Sequence, residues 1–481
     1  MKKTLNRANL GLEHRHPIKI IQFGEGNFLR AFVDYAVFEL NKVSDFNAGV
    51  AVIQPIENGM VELLDEQDGL YTIFMKGVKQ GQEIQDIKLI DVIVKSVNPY
   101  KEFEDYLKLA EEETLEFVIS NTTEAGIAFV ETDHYDDKPP STFPAKLTVL
   151  LHYRFKHFNG DAEKGLTLIP CELINYNAEV LKETILKYIA LWNLEDNFKD
   201  WILECNSFHS TLVDRIVPGY PKADIGSYNK QLDYSDKLIV SAEAFFLWVI
   251  EGGNALKQKL PFHLTDLDVK IVKDMQPFRT RKVRILNGAH TTMVPFSLLY
   301  GNTTVKASVD NDFTGKFIYE AVFGEIIDTL DMDKQELNLF AEDIFDRFRN
   351  PFIVHNLSSI ALNSISKFKV RVLPSLLEYV SNKNKLPLNL TFAFACLIRF
   401  YKGTWNGKTL PINDDEQIVN DFSKIWSLDN FEYLVTTVLG KVDYWGKDLN
   451  TISQLTIKIT KALQCIEEKG VEEGYQSYLA L

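Results

Sequence analysis

Short apolar runs separated by longer amphipathic stretches set the pattern of the first half of the chain. Ile18-Lys19-Ile20-Ile21-Gln22-Phe23, Gly49 to Gln54, Glu116 to Ser120 and Leu166 to Pro170 are rich in aliphatic side chains and end in Gly, Pro, Asn or Cys, as buried strands do. Between them apolar residues recur at helical spacing, from Asn27 to Leu40 and from Ala178 to Leu194. Alternating strands and helices predict a doubly wound parallel sheet. After Leu260-Pro261 the pattern changes. Val269 to Val272 is one last short run, and the segments Phe313–Leu330, Asp333–Arg347, Leu357–Tyr379, Leu390–Tyr401, Ile418–Trp426, Phe431–Leu439 and Ser453–Glu467 all read as helices. The expected organisation is an α/β domain over residues 1–273 and a mainly α-helical domain over 274–481.

Gly24-Glu25-Gly26-Asn27-Phe28-Leu29-Arg30 joins the first strand to the first helix. Strand, glycine turn and helix in that order form a nucleotide cradle, so the first domain is expected to be Rossmann-like. Gly24 permits the tight turn and Gly26 lets backbone approach a pyrophosphate. Leu29 replaces the third glycine of the usual fingerprint, and the turn alone also fits a simple strand-to-helix junction. Phe23, Gly24, Gly26, Asn27 and Phe28 are the candidate cradle. The end of the second strand normally meets the adenosine ribose. No Lys or Arg occurs between Ser44 and Met75, so a 2′-phosphate finds no partner there, whereas Glu57 can accept from a free 2′-hydroxyl. NAD is therefore favoured over NADP. Asn121 to Gly126 is a polar turn at the carboxyl end of a strand, where ligands of open sheets collect, which makes Thr123 and Glu124 candidates; a plain surface turn is the alternative.

The stretch Arg281-Lys-Val-Arg-Ile-Leu-Asn-Gly-Ala-His290 lies just past the expected domain boundary, a place ligand sites favour. On an α-helix Lys282, Asn287 and His290 fall at about 0°, 140° and 80°, within one arc. An amine, an amide and an imidazole together can move a proton, polarise a carbonyl and grip hydroxyls, which suits carbonyl/alcohol interconversion. A solvated basic helix face is the competing account, but Asn287-Gly288 weakens a helix, and such a cost marks a close approach or a site. Further on, His355, Lys367, Lys369 and Arg371 form a basic group able to hold a carboxylate; a solvated face competes there too. Val213-Asp214-Arg215-Ile216 places opposite charges in an apolar context, which also fits a structural ion pair.

Composition narrows the class. The chain has 481 residues, 46% of them hydrophobic and 25% charged, in line with a globular protein. A net charge of −15 disfavours nucleic acid and anionic membranes as partners and requires a local basic pocket for any anionic substrate. The 4 cysteines (Cys171, Cys205, Cys396, Cys465) show no zinc spacing, and the histidines form no HExxH, so no metal site is expected. With no apolar leader and no run of about 18 apolar residues, a cytoplasmic location is expected.

Five features in order resemble one family: Gly24-x-Gly26-x-Phe28-x-Arg30, Gln67-Asp-Gly-Leu-Tyr-Thr72, the Thr-Glu-x-Gly turn at Thr123, Val213-Asp-Arg-Ile216, and Lys282-x4-Asn287-x2-His290. Together they resemble the polyol-specific long-chain dehydrogenases related to mannitol 2-dehydrogenase over nearly the whole chain. The wording of Ile21 to Asp34, Ser120 to Ile127, Ile169 to Ile174 and Ile285 to Thr291 is similar to members acting on hexuronates. The resemblance implies metal-independent, NAD-linked interconversion of D-tagaturonate and D-altronate in hexuronate breakdown, by a monomer or small homo-oligomer. It implies Lys282 as the proton-transferring residue, Asn287 on the carbonyl or alkoxide oxygen, and His290 and Asp214 on the substrate. Two positions depart from members acting on neutral polyols. Those carry Asp-Asn after the cysteine, the Asn sharing the oxyanion role, where this chain has Leu173; and an Arg eight residues before the lysine matching Lys367, where it has Ser359. Asn177 is then a candidate partner for Asn287, and His355, Lys367 and Arg371 become candidates for the carboxylate. Reduction of fructuronate, reduction of fructose, and a catalytically inactive nucleotide-binding regulator remain the alternatives.

Overall fold

In the computed structural model, which describes residues 2–481 except Glu124, the chain divides into two compact units. One comprises Met1–Lys76 with Ile84–Met275, the other Gly77–Glu83 with Gln276–Leu481.

The first unit is built on a six-stranded parallel sheet of β1 (Ile18–Phe23), β2 (Gly49–Ile53), β3 (Ile93–Val97), β4 (Phe117–Ser120), β5 (Thr167–Pro170) and β6 (Ser207–Phe208), in the order β3-β2-β1-β4-β5-β6. The near-continuous apolar runs follow from burial of both faces. Successive residues alternate between two cores: Ile20, Val50, Val52 and Ile119 face one, and Ile21, Phe23, Ala51, Ile53 and Val118 face the other. Helix α1 (Asn27–Val43) contributes Phe32, Ala36 and Leu40 to the first core. The second core is covered by α2 (Phe143–His157), α3 (Asn177–Leu191) and α4 (Asp196–Cys205), through Leu147, Leu151, Ile185 and Trp201. The doubly wound arrangement predicted from the strand pattern is the one observed. Strand order reverses between β1 and β4, so the turns following them meet at the switch point where ligands of such sheets bind.

Besides a short parallel pair of Lys3–Thr4 with Tyr234–Ser235, there are two three-stranded sheets. In one, β7 (Thr211–Asp214) runs antiparallel to β8 (Leu247–Glu251), which is parallel to β9 (Val269–Val272). In the other, Val240–Glu243 pairs parallel with Tyr71–Lys79, which neighbours Gln82–Ile90.

The second unit is mainly helical. It opens with α5 (Gln276–Lys282), a π-helical turn over Val283–Asn287 and α6 (Gly288–Tyr300), and continues with α7 (Asp312–Glu320), a second π-turn over Ala321–Ile326 and α8 (Lys334–Phe348). The stretch Leu357–Tyr379, expected as one helix, is broken into Leu357–Ile360, α9 (Ser364–Arg371) and α10 (Leu373–Lys383). Asn363 at φ 53° is left-handed, and Pro374 in the first turn of α10 has no N–H to continue the ladder. Helix α11 (Leu388–Phe400) is buried from Asn389 to Phe400 and packs against α6 and the long α12 (Leu455–Leu479), hence its all-round hydrophobicity. Among the described residues no helix is long and apolar enough to cross a membrane.

One buried polar group lies beneath the first glycine turn. Asp34, on α1 and fully buried, accepts from Tyr71 Oη at 3.1 Å and Gln22 Nε2 at 3.5 Å, while its Oδ1 has no partner among the described residues. Arg30, one turn earlier, donates to Leu238 O, Glu25 O and Asn27 Oδ1, and its guanidinium lies over the Tyr71 ring. Burial pushes the Asp34 carboxyl up to about 7 despite the bonds from Tyr71 and Gln22 and the nearby arginine. A carboxyl raised in the folded state favours folding below its unfolded pKa, and that advantage is lost progressively as pH rises to about 7. Asp34→Asn is expected to remove a loss on the order of 4 kcal/mol between about pH 4 and pH 8. Denaturant unfolding at both pH values tests this; equal pH dependence in wild type and variant would contradict it.

Candidate active site

Gly24 at φ +122° occupies a conformation other residues avoid, and a Cβ there would lie 3.1 Å from Asn121 O and from Leu29 Cδ1. The turns after β1 and β4 therefore pack directly on each other, and Asn121 N donates to Phe23 O at 3.2 Å. Leu29, in place of the third fingerprint glycine, is a core residue. Gly26 is exposed, and a Cβ there would have nothing within 4 Å. It precedes the 17-residue α1, whose first turn has neither a capping side chain nor an acidic residue. Its leading N–H groups are thus open to an anion, as a pyrophosphate requires.

The other cradle residues differ in what they offer. Phe23 is core, its ring packed on Phe143 and Tyr106, so its side chain is not available to a ligand and only its backbone can belong to the cradle. Asn27 accepts from Arg30 Nη2 at 2.8 Å and lies against Gly219. Phe28 is partly buried and stacks on Phe32. Glu57 is exposed after β2, in a loop held by Gln54 Nε2, which donates to Ile56 O and Glu57 O at 2.9 Å. Thr123 is exposed and Glu124 lies outside the described residues. Two acids not singled out in the sequence shape these loops. Glu25 is buried and accepts from Met60 N. Glu172, whose carboxyl is raised by burial, receives bonds from Ser120 Oγ, Thr122 N and Thr122 Oγ1 at 3.0–3.1 Å, tying the turn after β4 to the one after β5.

In the second unit, the π-turn lies between Lys282 and His290. Residues five apart are staggered by about 140° on an α-helix. Closing the ladder i→i+5 carries Asn287 round toward the face of Lys282. Asn287 is partly exposed, and its side-chain amide has no partner among the described residues. Gly288 follows because a Cβ there would sit 3.1 Å from Arg371 O and 3.7 Å from Ile326 Cδ1. The His290 ring is 4.6 Å from that of Phe348 and 5.1 Å from that of His355, and its buried Nε2 has no protein partner among the described residues. Burial, then the nearby His355, Arg347, Arg371 and Lys367, hold the His290 pKa well below the usual imidazole value. Burial and Arg347 act likewise on His355.

These same groups form a basic cluster. Lys367 Nζ donates to Ile360 O at 2.9 Å, and its pKa is lowered by burial and by Arg371. Arg371, half-buried and lowered by burial, has no hydrogen-bond or ion-pair partner among the described residues. Arg347, at the end of α8, was missed from the sequence; its place eight residues before His355 was the available signal. By contrast, Arg281 pairs with Glu336 at 2.9 Å and Arg284 with Glu378 at 2.7 Å, so their charges are locally balanced.

Asn177 does not offer an oxyanion contact. It is fully buried; Nδ2 faces Pro170 O, Glu172 O and Thr211 Oγ1 at 3.0–3.3 Å, and Oδ1 accepts from Thr211 N. Its amide fastens α3 to β7, and no N–H remains for a ligand. Leu173 is exposed. Asp214 ends β7 and is buried, but Arg215 does not pair with it, donating instead to Ala31 O and Glu243 O. Among the described residues no group of three or more His, Cys, Asp or Glu side chains is placed to hold a metal.

A doubly wound sheet with an open glycine turn, followed in the chain by a helical unit carrying a Lys, Asn and His stripe, defines a nucleotide-linked oxidoreductase. The chain belongs to the mannitol dehydrogenase family: the model of the mannitol dehydrogenase Rossmann domain matches residues 18–263 and that of the mannitol dehydrogenase C-terminal domain residues 274–467. Similar curated relatives are the altronate oxidoreductases of Yersinia pestis (strain Nepal516), 45% identical over 99% of this chain and 100% of the relative, and of Bacillus subtilis (strain 168), 46% identical over 96% of each. Among solved structures the fold is similar to that of a D-sorbitol dehydrogenase in substrate-free form, TM-score 0.80 at 20% identity, covering 98% of this chain and 100% of that one. It is also similar to Pseudomonas fluorescens mannitol 2-dehydrogenase in ternary complex with NAD and D-mannitol, TM-score 0.64 at 18% identity, covering 99% of each.

The contrasting environments of the two asparagines predict opposite defects. Asn177→Ala leaves buried partners unsatisfied and is expected to cost about 2–4 kcal/mol of stability, with kcat of the folded enzyme within a few-fold of wild type. Asn287→Ala is expected to lower kcat about 100- to 1,000-fold with little change in unfolding. Parallel kinetics and denaturation check both.

Proposed function

We propose that this chain is an NAD-dependent oxidoreductase that interconverts D-altronate and D-tagaturonate. The observation that carries the substrate class is the basic cluster of Lys367, Arg371, Arg347 and His355 around His290, in a protein of net charge −15. Arg371 without a protein partner among the described residues supplies a planar fork suited to a carboxylate, which a neutral polyol would leave unsatisfied. The full-length relatives named altronate oxidoreductase support the same reading.

The first unit fits a dinucleotide: Gly24 and Gly26 shape the turn, the open end of α1 takes the pyrophosphate, and exposed Glu57 suits a ribose with a free 2′-hydroxyl. Bound NAD supplies the hydride chemistry. For the chain's own residues, reduction requires a proton for the oxygen that was the carbonyl; Lys282 gives it, and on oxidation takes it back. Asn287 Nδ2 donates to that oxygen as negative charge develops, which is worth most in the transition state. His290, held neutral, exchanges hydrogen bonds with a substrate hydroxyl without titrating in the working range. Asp214 is assigned to a substrate hydroxyl, and Lys367 and Arg371 to the carboxylate.

Three measurements test this. With NADH, D-tagaturonate should be reduced in preference to D-fructuronate and D-fructose; preference for either competitor would displace the assignment. Lys282→Ala should lose at least about 1,000-fold in kcat and still bind NADH by fluorescence, whereas near-normal turnover would remove the lysine from its role. Lys367→Ala and Arg371→Ala should each raise KM for the uronate about 10-fold or more, and unchanged KM in both would discard this carboxylate site.

A further inference from the structure

A cavity of about 670 Å³ opens in the helical unit where the ends of α10, α11 and α12 meet α7 and its π-turn. Its size falls among small-molecule sites and far exceeds a packing void. It shares no lining residue with the Lys282–His290 stripe or with the basic cluster. It nevertheless backs onto the same helix: its wall residues Glu325 and Tyr379 adjoin Ile326, which lies against Gly288, and Glu378, which pairs with Arg284.

The lining is mainly apolar, through Val380, Leu386, Leu388 and Leu479, with charged and aromatic side chains set into it. Glu320 and Glu325 supply carboxylates, Lys385 and Lys458 ammonium groups, and Tyr379 and Tyr475 aromatic rings. Glu325 is held by Asn389 N and Leu390 N, each donating at 2.8 Å, and Tyr475 Oη donates to Asn389 Oδ1. Burial pushes the Glu325 carboxyl up to about 7, so its negative charge is partly suppressed near neutrality. Glu320 has a cation of its own in Lys316 at 3.8 Å. Lys385 and Lys458 have no carboxylate partner among the described residues. The walls therefore offer a surplus of ammonium for one anion, beside carboxylate acceptors for hydroxyls and ring faces for C–H groups. A polyphosphate would meet both glutamates, whereas a singly charged polyol matches the charged and hydrogen-bonding groups and can lay its C–H faces on the rings and aliphatic side chains.

We propose that this cavity is a second ligand site, separate from the reaction site, for a monoanionic polyhydroxylated sugar acid. The proposal rests on the lining alone and stands or falls independently of the reaction assigned above. Isothermal titration of D-gluconate and D-galacturonate into the cofactor-free Arg371→Ala enzyme tests it, because that background weakens anion binding at the proposed reaction site. Saturable binding of at least one of them is expected, weakened 10-fold or more by Lys458→Ala and by Glu320→Gln, and abolished by Leu388→Trp, which adds bulk to the lining. All three variants should retain wild-type circular dichroism and unfolding midpoints, since Glu320, Leu388 and Lys458 are partly or largely exposed. Absence of saturable binding by both acids, or binding that all three folded variants leave unchanged, overturns the proposal.

Discussion

The close approach of α6 to α9 at Gly288 governs the geometry of the candidate site. With no Cβ at 288, the helix backbone can lie beside Arg371 O, where a Cβ would stand only 3.1 Å away. That contact fixes the end of α9, the helix bearing Lys367 and Arg371, against the residue following Asn287. The preceding π-turn has the complementary effect along the helix, carrying Asn287 toward Lys282 by one extra residue per turn. Lys282, Asn287 and the α9 cations, the residues of the proposed reaction site, are thus placed by backbone features, with Arg284 anchoring the turn through Ser375, Thr329 and Glu378.

Much of the fold was legible in the sequence because burial on both faces of a parallel sheet leaves a strong imprint. Ile18–Phe23 and Val269–Val272 end where their apolar runs end. The strands Tyr71–Lys79 and Gln82–Ile90 were not legible: the second alternates polar and charged residues on a half-exposed edge, and neither run has the aliphatic density of a central strand. The break of Leu357–Tyr379 was hidden for another reason, since Asn363 adopts a left-handed conformation that its sequence context permits but does not require.

Site residues were legible in proportion to how local their chemistry is. The Lys282, Asn287 and His290 stripe could be read from one segment, although its angular arrangement assumed an α-helix and the π-turn alters it. Asn177 misled because an asparagine following a strand end serves equally as a ligand contact or as a backbone clamp, and only its hydrogen bonds to Thr211, 34 positions away, distinguish the two. Arg347 escaped because it comes from a different helix than the other cations and joins them only through tertiary packing.

The net charge of −15 and the proposed anionic substrate are reconciled by the same packing. Lys367 and Arg371 sit on consecutive turns of α9, and in water they would repel only weakly. Partial burial lowers the pKa of both, and Arg371 adds to the effect on Lys367, a cost in the free protein that the proposed carboxylate would offset. Arg281 and Arg284, equally basic in sequence, are neutralised by Glu336 and Glu378 and add little to such a field. On the proposed reading, selectivity for an acid over a neutral polyol rests on Arg371, which has no ion-pair partner among the described residues, and only the three-dimensional pairing of charges decides that.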